Sequence, residues 1–125
     1  MRVLTGLCAA LICLTAPTAF AAPAMEADSA LGKIYVDEKG MTLYTFDKDE
    51  MNKSNCYDDC AVNWPPLTAG ADAVAEGEWT VVERTDGTSQ WAYEGKPVYL
   101  WIKDMKAGDT TGDGVGGVWH VVHVD

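Results

Sequence analysis

From Lys33 onward, apolar residues fall into short runs with every second position facing one way, the spacing of strands laid against a core. Lys33 to Val36 leads into a polar turn, Asp37-Glu38-Lys39-Gly40, and out again through Met41 to Phe46, which reads as a β-hairpin. A second series alternates from Trp79 to Arg84, turns at Asp86-Gly87 and returns over Ser89 to Tyr93. Glu94-Gly95 then turns into Pro97 to Trp101, and the β-branched stretch Val118 to Val124 reads as a closing strand. One short helix is predicted near residues 55–63, with Ser54 as N-cap, Asp58 and Asp59 in the first turn, and Pro65-Pro66 as the stop. These elements predict an all-β or β-dominated α+β fold.

Aligned with itself, the chain repeats. Gly40 to Asp49 (GMTLYTFDKD) lies over Gly95 to Asp104 (GKPVYLWIKD) at an offset of 55 residues, and the same offset carries Trp64 onto Trp119. Each copy therefore holds a tyrosine, a second aromatic two residues on, an aspartate, and a distant tryptophan: Tyr44, Phe46, Asp49 and Trp64, then Tyr99, Trp101, Asp104 and Trp119. The two aromatics of a motif share one face of their strand. The aspartate falls where it can accept turn N–H groups or a phenol proton. The trailing tryptophan is expected to cover its own aromatic pair, and each tyrosine to lie near its own motif's aspartate or tryptophan. Burying one such ring is worth up to about 4–6 kcal/mol, so a core staple explains most of the motif, with an aromatic binding face as the rival.

Composition adds the compartment. Met1-Arg2, an apolar stretch to Phe20 and the small-x-small Ala19-Phe20-Ala21 read as a secretory signal, residues 1–21, cleaved near Ala21 or Ala24. Cys8 and Cys13 follow Leu7 and Ile12, which do not suit acylation. Residues 22–32 read as a disordered lead-in, and 33–125 as the folded domain, with repeat 1 at about 33–69 and repeat 2 at about 88–124. Losing Arg2 takes the formal net charge from −10 to −11. A surface this acidic repels nucleic acid and anionic lipid, and no transmembrane segment is expected in the mature chain.

Candidate chemistry is thin. Cys56 and Cys60 are the pair left after export, and an oxidising compartment favours a disulfide. Two alternatives use the same residues: a thiol-redox protein, or copper held by Cys56, Cys60 and His120. His120 and His123, three apart on a strand, should face opposite ways. Met25, Met41, Met51 and Met105 are scattered. The loop Asp109 to Gly117 (DTTGDGVGG) lacks the ligand pattern of a calcium or phosphate site and reads as a turn.

The two motifs, the segment Ser54-Asn55-Cys56 to Cys60-Ala61 with Trp64-Pro65-Pro66-Leu67, and the Gly108-Asp109-Thr110 to Trp119 segment together resemble the secreted-repeat family of bacterial lipoprotein or periplasmic proteins. The resemblance spans Lys33 to Val124. It implies a small exported domain of paired repeats and no particular activity. The expectation is thus a periplasmic or secreted, non-enzymatic binding module for a small molecule or another periplasmic protein, with no catalytic residues and no cofactor.

Overall fold

A computed structural model describes residues 23–125; the expected signal segment, with Cys8, Cys13 and a cleavage point after Ala21, lies outside the described residues. The chain runs β1 (Met25–Ser29), β2 (Gly32–Val36), β3 (Tyr44–Phe46), α1 (Asp59–Asn63), β4 (Trp79–Glu83), β5 (Ser89–Tyr93), β6 (Lys96–Pro97) and β7 (Trp119–Val121), with a 3₁₀ turn at Val115–Gly117 before the last strand. The fold is strand-dominated, as the alternation predicts. Its strands form three small antiparallel sheets, β1-β2, β3-β7 and β4-β5-β6.

The second hairpin series forms as read, with Val81 opposite Trp91 and the turn closed by Arg84 N–H donating to Thr88 O. Three other expectations change. The disordered lead-in is wrong over Met25–Ser29, which pairs along its whole length with Gly32–Val36. Its side chains are mainly exposed, so the strand rests on backbone hydrogen bonds and on Ala27 packing against the core, and its acidic residues blunt an open sheet edge. The first hairpin closes as expected, with Asp37 Oδ1 accepting the Lys39 and Met41 N–H groups at 2.8 and 2.9 Å. Tyr44–Phe46 then leaves β2 and pairs with Trp119–Val121.

The helix begins later than expected, at Asp59, and Ser54 does not cap it. Ser54 is buried, and its hydroxyl serves the interior instead. At the far end Trp64 N–H bonds to Cys60 O, and Pro65-Pro66 follow as the stop.

The core has two lobes. One gathers Ile34, Val36, Tyr44, Cys56, Tyr99 and Val121 around Trp64 and Trp119. The other joins Leu43, Trp79, Trp91, Tyr93, Val98 and Val122, with Tyr35 set edge-on to Trp79 at 5.3 Å. Among the described residues, no helix is long and apolar enough to cross a membrane.

Candidate functional site: the interlocked aromatic motifs

The repeated residues meet at the centre of the first lobe, and they meet crosswise. Tyr44 and Tyr99, both fully buried, exchange backbone hydrogen bonds with each other at 2.8 Å in both directions. From that pair the contacts repeat with the 55-residue offset. Tyr44 lies opposite Val121, and Tyr99 lies opposite Pro66. Asp47 N–H donates to Val118 O, and Ile102 N–H donates to Asn63 O. This is the pattern of a local twofold in which each motif strand's partner comes from the other repeat.

Side chains follow the same rule. The Tyr44 hydroxyl donates to Asp104 Oδ2 at 2.6 Å, and the Tyr99 hydroxyl donates to Asp49 Oδ2 at 2.7 Å. Of the two neighbours expected for each tyrosine, the aspartate is the other motif's, and only the trailing tryptophan is its own. The tryptophans divide their contacts. Trp64 and Trp119 stand edge-on to their own tyrosines at 5.4 and 5.2 Å. Their faces, however, stack on the other motif: Trp64 on Trp101 at 3.9 Å, and Trp119 on Phe46 at 4.2 Å. Trp64 and Trp119 stack on each other at 3.8 Å with planes 1° apart. The result is one column, Phe46–Trp119–Trp64–Trp101. The crossing has a simple cause: the returning segment reaches β3 or Tyr99 only as a paired strand, and the strand that pairs is the other repeat's.

The two tyrosine–aspartate pairs sit in different surroundings. Beside Tyr99 and Asp49 lies a buried polar network absent from the sequence reading. The Arg84 guanidinium donates to Ser54 Oγ (3.0 Å), Gln90 Oε1 (2.7 Å) and Cys56 O (2.6 Å), and it faces the Tyr57 ring at 4.2 Å. Ser54 Oγ is 2.6 Å from the Tyr99 hydroxyl. A buried guanidinium needs this many partners to offset its lost hydration. The one sequence signal was that Arg84 is the sole arginine beyond Arg2. Burial pushes the Asp49 carboxyl above its ordinary range, against the opposing pull of Tyr99, Asn55 N–H and Arg84.

Around Tyr44 and Asp104 the glycine-rich loop supplies the partners. Thr111 gives both its N–H and its hydroxyl to Asp104 Oδ1, at 3.0 and 2.6 Å. Gly112 N–H donates to the Tyr44 hydroxyl at 3.1 Å, and Asp113 Oδ1 accepts Val121 N–H at 3.0 Å. A Cβ at Gly112 would stand 2.9 Å from both the Tyr44 and Trp64 rings. The loop is more than a turn: it closes one end of the motif. Burial, with Asp104 beside it, drives the Tyr44 phenol above its usual pKa, and burial does the same for Tyr99.

Five of the eight motif residues are buried and Asp49 is half-buried; Phe46 and Trp101, at the two ends of the column, are half-buried as well. Each borders a surface groove. The Phe46 groove, about 310 Å³, is lined by Thr45, Asp47, Asp49, Met51 and Lys96. The Trp101 groove, about 240 Å³, is lined by Met41, Thr42, Leu100, Ile102 and Asp104. Most of these positions correspond under the repeat.

Cys56 and Cys60 are joined in a disulfide with Cα atoms 5.2 Å apart. His120 Nε2 lies 2.8 Å from Asp47 Oδ2. Contrary to strict alternation, His120 and His123 line the same groove of about 270 Å³. Val121 and Val122 are both buried where the strand passes from β3 to β2, so the facing shifts by one residue. Among the described residues, one trio of metal-ligating types has donor atoms within 4.8 Å of one another, the exposed Glu78, Glu94 and Asp125; Cys56, Cys60 and His120 form no such group.

Fold and motif together define a strand-dominated domain built from two intertwined copies of one unit. Residues 26–68 and 80–123 each match a family described as a secreted repeat of unknown function, and the chain belongs to that family. No curated protein and no solved structure shows a significant match.

Proposed function

We propose that this is an exported, non-enzymatic binding or interaction module of the periplasm, whose ligand or partner is received in the grooves beside Phe46 and Trp101. One observation carries the reading. Each motif aspartate and tyrosine is already hydrogen-bonded to its opposite number, which leaves the outer rings of the column, with half-buried Asp49 beside Phe46, as the motif groups that reach solvent. A rigid aromatic face beside a few polar groups is the usual make-up of a recognition site. The copper alternative needs free thiolates, and the bond between Cys56 and Cys60 counts against it.

Native mass spectrometry of protein taken from the periplasm tests the proposal. A bound organic mass or protein partner is expected, and Trp101→Ala or Phe46→Ala should remove it while the fold survives. Stoichiometric metal on reduced cysteines would overturn the reading in favour of metal handling.

A further inference from the structure

The ring column has a chemical property that packing alone does not use. Indole and phenol are the most readily oxidised of the aromatic side chains, and here they form a continuous path from the surface to a buried base. Half-buried Trp101 stacks on Trp64 at 3.9 Å. Trp64 meets the edge of Tyr44 at 5.4 Å, and Tyr44 donates its proton to Asp104 at 2.6 Å. Trp119, stacked on Trp64, opens a branch one ring longer to Tyr99 and its partner Asp49.

A buried phenol gives up an electron readily only if its proton can leave at the same time, because a phenol radical cation in a core is costly. The carboxylate must then lie within hydrogen-bond reach, as Asp104 does. Gly112 N–H, 3.1 Å from the Tyr44 oxygen, remains as a donor to that oxygen after the proton has gone. At the other end, Phe46 is far harder to oxidise than indole, so the column has one entrance, Trp101.

We propose that the domain is a one-electron relay that accepts an oxidising equivalent from a diffusing radical at Trp101 and holds it as a neutral phenoxyl radical on Tyr44, with the proton on Asp104. The radical oxidant takes one electron from the Trp101 indole and becomes its anion. An electron from Trp64 refills Trp101, and Tyr44 refills Trp64. The Tyr44 O–H bond breaks and an O–H bond forms on Asp104 Oδ2. The net change converts phenol, carboxylate and radical oxidant into phenoxyl, carboxylic acid and reduced oxidant. Burial of Tyr44 keeps its phenol protonated until that moment.

Pulse radiolysis with azidyl radicals tests this on the intact protein. Indolyl radical should decay, and phenoxyl radical grow, at one shared rate that does not depend on protein concentration and is slower in heavy water. Asp104→Asn should slow the growth by about tenfold or more, because it removes the base. Tyr44→Phe, checked for folding by near-ultraviolet circular dichroism, should remove the main phenoxyl phase, and Trp101→Phe should lower its yield. The heavy-water comparison uses unaltered protein, so it stands even if a variant fails to fold. Indolyl decay that is purely bimolecular, or phenoxyl growth indifferent to heavy water, overturns the proposal.

Discussion

Gly112 shows at the residue scale how tightly the motif is closed. Its missing side chain admits the Tyr44 and Trp64 rings, and the chain there needs space, not an unusual backbone angle. Gly112→Ala is therefore expected to cost about 1–3 kcal/mol through overpacking, read from the denaturant midpoint. Gly114, two residues on, has open space at its Cβ position but a φ of 85°, so alanine there is strained for a different reason. Nothing in DTTGDGVGG distinguishes these two glycines by sequence, because the rings that meet Gly112 lie far away in the chain. The tyrosines give a second residue-scale expectation. Burial raises the phenol pKa of Tyr44, Tyr93 and Tyr99 above the ordinary 10.0. The folded state keeps protons that the unfolded chain loses, so their contribution is fully present below about pH 10 and is lost as pH rises beyond it. Midpoints measured against pH should fall in the alkaline arm, and less steeply in Tyr44→Phe and Tyr99→Phe.

Elements were legible where the signal was local. Asp86-Gly87 between two alternating runs specified the β4-β5 hairpin, and Pro65-Pro66 marked the end of α1. Strand β1 was missed because its support is a backbone ladder to β2, while Glu26 and Asp28 gave it the composition of a solvated tail. Helix α1 starts late because Ser54, its apparent cap, is drawn into the Arg84 network, and Cys56 is buried beneath the loop. The disulfide ties that loop to the helix. Protein isolated without reductant should have an intact mass two hydrogens below the reduced value; finding two alkylatable thiols would refute the link. Changing both cysteines to serine should cost about 2 kcal/mol, the expectation for so short a loop.

Over the whole molecule, the repeat told which residues matter and could not tell how the copies pair. An offset of 55 is equally compatible with two side-by-side units and with two units that complete each other, since both place like residues in like surroundings. The structure has the second arrangement: each motif strand takes its strand partner, its stacked ring and its tyrosine's carboxylate from the other repeat. A chain ending near residue 69 is accordingly expected to be unfolded alone and to regain near-ultraviolet ellipticity when mixed with the remainder. The most direct test of the interlock is a pair of double-mutant cycles on stability. Tyr44→Phe combined with Asp104→Asn, and Tyr99→Phe combined with Asp49→Asn, should each show a coupling of about 0.5–3 kcal/mol, the range for residues in contact. The within-motif combinations, Tyr44 with Asp49 and Tyr99 with Asp104, should be additive to within about 0.5 kcal/mol. Coupling inside each motif and additivity between them would mean that the repeats stand side by side, and the crossed architecture would be wrong.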